Sequence, residues 1–147
     1  VKKKWTILIY MAADNNLESD AIDDICEMER SSLNCDEVNV LMLFDRSPLY
    51  DTSNDNWTDT RLYRLKTFKE KENQCVIGSE RLKFDELQLG DGFCTELDMS
   101  SEFVLTKSID FAKKEFPSDY FGLIMWGHGS GWRGNDDFSG DGKSPAI

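Results

Sequence analysis

The sequence predicts an α/β fold in which a mostly parallel sheet is flanked by helices. Two short apolar segments, Trp5–Met11 and Val38–Phe44, enclose a segment whose apolar residues recur at helical spacing, and this order is typical of a β-α-β unit. A third apolar segment, Phe121–Trp126, follows a second helical pattern and ends in Gly-His-Gly. A short apolar run bounded by glycine is typical of a strand buried on both faces, so we predict that it joins the same sheet.

The first β-α-β unit is supported residue by residue. Trp5–Met11 is rich in β-branched and aromatic side chains, which favour strands. Asn15 and Glu18 have the spacing of a capping box, which predicts that a helix begins near Leu17 and ends near Ser31. The apolar positions of this helix lie three or four residues apart and form one buried stripe: Leu17, Ala21, Ile22, Ile25 and Met28.

The middle of the chain predicts a loop and a small antiparallel pair. Arg46–Thr60 is rich in polar residues and is interpreted as a long surface loop. Arg61–Lys66 alternates between apolar and polar residues, as a half-exposed strand does, and Cys75–Phe84 is expected to pair with it.

A second helix is predicted between Ser101 and Pro117, since proline ends a helix. Its apolar face is predicted to comprise Phe103, Leu105, Ile109, Ala112 and Phe116. Three main strands leave a sheet with open edges, so we expect the polypeptide to continue beyond Ile147 or a partner chain to complete the sheet.

Length and charge restrict the classes of function. The 147 residues suffice for one domain, and 17 Lys and Arg against 28 Asp and Glu give a formal net charge of −11. This charge argues against nucleic acid or an anionic membrane surface as a partner and favours basic peptides, although solubility alone also explains it. No apolar run is long enough to span a membrane, and Val1–Ala13 does not have the pattern of a signal peptide.

The four cysteines do not form a metal motif. No C-x-x-C spacing occurs among Cys26, Cys35, Cys75 and Cys94, and a single histidine makes a zinc site unfavourable. Three disulfide pairings and free thiols all remain open at this point.

His128 is the chain's only histidine and the principal candidate for chemistry. It is predicted to lie just past the carboxyl end of a strand, where open α/β sheets place their ligands. An imidazole has an unperturbed pKa near ~6.5 and can transfer protons at neutral pH. A lone histidine is often only structural. Here, however, both neighbours of His128, Gly127 and Gly129, carry no side chain, which lets backbone amides approach a substrate closely.

Two further motifs are weaker. Gly129–Gly134 matches G-x-G-x-x-G, but no helix follows it to bind a pyrophosphate, and no G-x-S-x-G serine elbow is present. Asp137, Ser139 and Asp141 resemble the front half of a calcium-binding loop, whose twelfth position would fall beyond Ile147. The alternative interpretation of these three residues is an acidic Gly/Ser loop.

Three blocks, Trp5–Glu18, Glu96–Met99 and Phe116–Arg133, resemble the clostripain family of cysteine peptidases. The resemblance implies a caspase-like fold, of which residues 1–147 are the N-terminal, light-chain part of a single peptidase domain. It implies that His128 is the catalytic histidine and that the Gly129 amide is one oxyanion donor. The nucleophilic cysteine of the family is expected downstream or in a heavy-chain partner, because no cysteine here follows a second central strand.

The same resemblance implies an activity. Relatives of clostripain cleave after Arg or Lys through a Cys-His dyad and a thiol acyl-enzyme, and many are processed into two chains between histidine and cysteine. Lys143, rather than Arg133, is the expected processing position. Some relatives depend on calcium, no other cofactor is expected, and export to the bacterial envelope or medium is common.

Two alternatives belong to other classes of protein. An inactive relative or fragment could act as a binding or assembly module, and the absence of a placed nucleophile supports that hypothesis. A nucleotide-binding α/β domain is the weaker alternative, supported only by the glycine pattern after His128.

Overall fold

A computed structural model describes residues 1–69 and 75–129 of the chain. Within this part, the chain forms a five-stranded sheet with two α-helices and two short 3-10 turns. The strands and helices, in chain order, are β1 (Lys3–Ala13), α1 (Glu18–Arg30), β2 (Val38–Arg46), β3 (Thr60–Arg64), β4 (Glu80–Arg81), α2 (Glu102–Glu115) and β5 (Ser118–Trp126).

The sheet has the order β4-β3-β2-β1-β5. β1 lies between β2 and β5 and is parallel to both, with Ile9 opposite Met42 on one side and Ile124 on the other. β3 pairs antiparallel with β2, and the short β4 pairs antiparallel with β3. The predicted α/β class and the mostly parallel core of the sheet are therefore confirmed, as is the small antiparallel excursion.

Helix α1 covers one face of the sheet. Ala21, Ile22 and Ile25 are buried against the odd-numbered side chains of β1 and the even-numbered side chains of β2. The predicted capping box is wrong, however. Glu18 does not reach back to Asn15, because its carboxylate is buried and binds Arg46. The Asn15 side chain instead accepts a hydrogen bond from the Leu17 amide at 2.9 Å and closes the turn before the helix.

Helix α2 covers the opposite face. Val104, Ser108 and Ala112 are its buried residues, and Ala112 packs with Leu8 and Leu41 of the sheet. The predicted apolar face is wrong at Phe103, which is exposed. The buried stripe runs through the 104, 108 and 112 positions, and the predicted Leu105, Ile109 and Phe116 pack partly buried beside it.

Strand β5 lies at an open edge of the sheet. The prediction that this strand is buried on both faces is wrong for the described residues, since Ile124 is 47% exposed and Met125 is 44% exposed. These two side chains point to opposite faces, because Ile124 is paired with Ile9 on the α1 face. The two helices cover β1 and β2, and of the edge strand they cover only Trp126 on the α1 face and Phe121 on the α2 face in part.

The region between β2 and α2 is attached to the core by a disulfide between Cys26 and Cys75, which are 49 residues apart. Cys26 lies on α1. The bond therefore joins the region between β2 and α2, called the insertion below, to the helix that covers one face of the sheet. Cys35 and Cys94 are free thiols. Of the three pairings that the sequence leaves open, the structure selects one bond and leaves these two cysteines unpaired.

The prediction for Arg46 is also wrong, since the sequence places it in a polar surface loop. It is the last residue of β2, and its side chain is 0% exposed, as is that of Glu18. The guanidinium donates to Glu18 Oε1 at 2.5 Å and to the carbonyl oxygens of Asp51 and Ser53 at 2.8 and 3.1 Å. This cluster fixes the start of the β2–β3 loop to helix α1.

Candidate active site

The carboxyl ends of β1, β2 and β5 meet at one edge of the sheet, because the three strands are parallel. The residues that follow or end these strands surround a cavity of about 520 Å³. The segment before α2 closes the cavity from the other side. Its lining includes Asp14, Asn16, Asp45, Glu96 and His128.

His128 lies where the sequence predicts, just past the carboxyl end of β5 and at the cavity. Its ring is exposed, and Nε2 lies 2.7 Å from Oδ1 of Asn16 in the loop between β1 and α1. An exposed imidazole held by one hydrogen bond can accept or release a proton at the other ring nitrogen.

Gly127 brings His128 close to the end of β1. Its φ is +154°, and an added Cβ would lie 3.2 Å from the carbonyl oxygen of Ala12. A side chain at this position would be strained and would press on the backbone of β1. Glycine therefore permits close packing of the residue before His128 against β1, whereas the approach of backbone amides to a substrate stays a prediction.

Gly129 is the last residue that the structure describes, and its role as an oxyanion donor stays a prediction. Lys143, the expected processing position, lies outside the described residues. So does the calcium-loop candidate formed by Asp137, Ser139 and Asp141.

Three carboxylates form a cluster in the cavity wall. Oxygens of Asp14, Asp45 and Glu96 lie within 4.8 Å of one another. Asp45 is buried at the end of β2 and accepts a hydrogen bond from Thr60 Oγ1 at 2.6 Å. The pKa of Asp45 is raised to about 8, chiefly by burial and also by the charges of Glu96 and Asp14 and a hydrogen bond shared with Glu96, while the hydrogen bond from Thr60 acts in the opposite direction. The pKa of Glu96 is also raised, by burial and by the charge of Asp14.

The cluster has the donor chemistry that a hard cation prefers, since carboxylate oxygens are ligands for such ions. At neutral pH, however, Asp45 keeps its proton, and it shares a hydrogen bond with Glu96. The arrangement is therefore a hydrogen-bonded carboxyl pair with a third carboxylate beside it. It places negative charge next to His128.

We expect the Asp45→Asn variant to be more stable than the natural protein at pH 8. Between the ordinary pKa of 3.8 and the folded value of about 8, the native state binds a proton that the unfolded state releases. Stability from this group is therefore present at low pH and is lost as the pH rises through this range. Asparagine keeps the hydrogen bonds without the charge.

The expected gain at pH 8 is at least about 1.4 kcal/mol, which corresponds to one pKa unit, and no gain is expected at pH 3.5. Urea unfolding of both proteins at the two pH values measures this difference. A variant that is less stable at pH 8 would contradict the assignment of a neutral Asp45.

The positions of the four cysteines relative to this cavity bear on the source of a nucleophile. None of the four is among the residues that line it. Cys26 and Cys75 are bonded to each other on the α1 face, and Cys35 lies beside Lys3 near the opposite end of β1. Cys94 is exposed in the segment that leads to Glu96.

Sequence reasoning did not identify Asn16, Asp45 or Glu96 as site residues. The first two follow or end parallel strands, so the rule that carboxyl ends of such strands meet could have found them. Glu96 lies in an irregular segment that is attached to the sheet by hydrogen bonds of Thr60. No periodic pattern in the sequence indicates where this segment lies.

Solved structures of cysteine proteases have the same fold. A cysteine protease of B. fragilis superposes with a TM-score of 0.62 and 24% identity, covering 90% of this chain and 95% of that one. A secreted C11 cysteine protease of Bacteroides thetaiotaomicron, in complex with an irreversible peptide inhibitor, gives a TM-score of 0.58 and 20% identity over 88% of this chain and 30% of that one. The likeness defines the class of fold, which is a caspase-like α/β fold.

The sequence narrows this class to one family. Residues 9–143 match the model of the clostripain family, so the chain belongs to that family. Clostripain of Hathewaya histolytica is 34% identical over 135 residues, which are 89% of this chain and 24% of clostripain. The chain thus spans about a quarter of the length of that relative.

Proposed function

We propose that this chain is the histidine-bearing portion of a clostripain-like cysteine endopeptidase that cleaves after Arg or Lys. The observation that carries the proposal is the position of His128. It is exposed at the carboxyl edge of the sheet, faces a cavity and is oriented by a hydrogen bond. This is the arrangement that a general base requires when a nucleophile is brought to it.

The thiol is proposed to come from a segment downstream or in a heavy-chain partner. No cysteine of the chain lines the cavity that contains His128. Apolar side chains on both faces of the edge strand β5 remain exposed, Tyr120 and Ile124 on one face and Leu123 and Met125 on the other. A further parallel strand with its own helices would cover both faces and place its carboxyl end beside His128.

The proposed reaction follows from the dyad. His128 accepts the proton of the thiol, and the thiolate attacks the carbonyl carbon of the basic residue, whose peptide bond to the following residue then breaks. The Gly129 amide and the amide of the cysteine stabilise the oxyanion. His128 then gives its proton to the leaving amine, and water hydrolyses the acyl-enzyme. In this proposal Lys143 is the processing position between the two parts.

The preference for Arg or Lys is supported by charge and by the family. The chain carries a formal net charge of −11, and Asp14 and Glu96 lie in the wall of the cavity next to His128. A negative cleft raises the local concentration of cationic peptides. No cofactor takes part in the proposed chemistry, and calcium is proposed only as a structural ion for the family's calcium-dependent members.

The experiment that tests this function is a reporter panel with the intact protein. Peptides that differ only at the residue before the scissile bond (Arg, Lys, Gln, Asp or Phe) should be cleaved at least about 100-fold faster with Arg or Lys. The reason is that the other residues leave unpaired the carboxylate that we propose the downstream segment supplies to bind the basic side chain. Equal rates for Gln and Lys would exclude the proposed specificity. Absence of cleavage throughout would favour the binding or assembly module.

A location outside the cytoplasm is part of the proposal. The Cys26–Cys75 disulfide is expected to persist only in an oxidising compartment. In the part of the chain that the structure describes, no helix has both the length and the apolar character needed to span a membrane. We therefore propose secretion or residence in the bacterial cell envelope.

A further inference from the structure

The contact between Asn16 and His128 joins the loop after β1 to the residues that follow the neighbouring strand β5. Oδ1 of Asn16 lies 2.7 Å from Nε2 of His128, although the two residues are 112 positions apart. A carbonyl oxygen can only accept a hydrogen bond, so the Nε2 atom must be the donor. The neutral ring then has its free electron pair at Nδ1.

The turn that carries Asn16 is held in place by its neighbour. The Asn15 side chain donates to the Ala12 carbonyl at 2.9 Å and accepts from the Leu17 amide at 2.9 Å. The Asn15 carbonyl accepts from the Glu18 amide at 3.2 Å. The backbone on both sides of Asn16 is therefore held in place before any substrate binds, which is the condition for orienting a second side chain.

We propose that Asn16 is a positioning residue that holds His128 in the Nε2–H tautomer and leaves Nδ1 as the proton acceptor. This inference rests on the proposed function, in which His128 is the base. When the thiol loses its proton, the S–H bond breaks and an N–H bond forms at Nδ1. The Asn16 carbonyl oxygen then accepts a hydrogen bond from a cationic ring, which is stronger than the bond to the neutral ring.

An amide suits this place because the cavity already carries acidic groups. The ionisable groups that line it with His128 are Asp14 after β1, Asp45 on β2, Tyr50 in the β2–β3 loop, and Glu96 and Asp98 before α2. Another carboxylate would repel these groups and favour a protonated ring. Asparagine orients the ring without adding a charge.

The activity test compares Asn16→Ala, Asn16→Asp and Ser19→Ala in the intact protein with a Lys reporter peptide. Loss of a hydrogen bond to a cationic ring lowers kcat in Asn16→Ala about 10- to 100-fold, with little change in KM. Asn16→Asp restores kcat at high pH and moves the acid limb of the pH–rate profile up by about one unit, because a carboxylate favours the charged ring. Ser19 is an exposed neighbour of Asn16 outside the cavity, and Ser19→Ala leaves both kcat and the pH–rate profile unchanged.

The second test does not depend on activity. Nitrogen NMR of the His128 ring, assigned by its loss in His128→Gln, is expected to show the Nε2–H tautomer in the natural protein and a mixture in Asn16→Ala. An Nδ1–H tautomer in the natural protein, or an unchanged tautomer in Asn16→Ala, would overturn the role of Asn16. Full activity in His128→Ala would instead overturn the proposed function and leave the NMR result standing.

Discussion

Replacing His128 with alanine is expected to lower kcat for a Lys or Arg reporter by about 1,000-fold or more. Without the imidazole, the thiol that another segment brings to the cavity keeps its proton at neutral pH and is a weak nucleophile. The leaving amine also loses its proton donor. The measurement is kcat and KM of the intact protein, since the base acts in the chemical step and KM should change little.

The matched controls for this variant are Cys35→Ser and Cys94→Ser. Both cysteines are free thiols, and neither lines the cavity that contains His128. If the nucleophile comes from a different segment, both variants keep their activity. Loss of activity in Cys94→Ser, together with full activity in His128→Ala, would contradict the proposed dyad.

Replacing Arg46 with methionine is expected to lower the free energy of unfolding by roughly 3 to 5 kcal/mol. The change leaves the Glu18 carboxylate buried without its cation, and it removes one hydrogen bond from each of the carbonyls of Asp51 and Ser53. An uncompensated buried charge is among the most destabilising changes in a protein interior. Urea unfolding of the intact protein measures the effect.

Two further variants separate burial from charge. The double variant Glu18→Leu with Arg46→Met removes both charges and should recover most of the lost stability. Lys2→Ala breaks an ion pair with Asp119 whose side chains are 59% and 57% exposed, and it should change the stability by less than about 1 kcal/mol. Equal effects of Arg46→Met and Lys2→Ala would show that the buried cluster is not a principal support of the fold.

The elements of the fold were largely predictable because their signals are local. The spacing of Ala21, Ile22 and Ile25 identifies a helix and its buried stripe within a residue of its observed ends. The apolar segments of β1, β2 and β5 identify three strands, although each extends beyond the predicted segment. The order of these elements also predicts parallel pairing, since the helix between two strands returns the chain to the end of the sheet where the first strand began.

The errors arose where a residue's environment depends on distant parts of the chain. Arg46 has the sequence context of a loop residue, and only the arrival of Glu18 and the loop carbonyls makes its burial stable. Ile124 and Met125 have the composition of a buried strand, but their exposure depends on whether a further strand covers the sheet edge. Cys26 and Cys75 pair because the insertion returns to α1, a path that spacing does not encode.

The amino-acid sequence by itself determined the class of fold, the order of its elements, the family and the candidate histidine, since each depends on residue type and spacing along the chain. The tertiary structure decided which polar groups surround that histidine. Asn16, Asp45 and Glu96 come from three separate segments and meet His128 only after parallel strands align their carboxyl ends. Their hydrogen bonds and shifted pKa values arise from burial and proximity, which are properties of the folded chain.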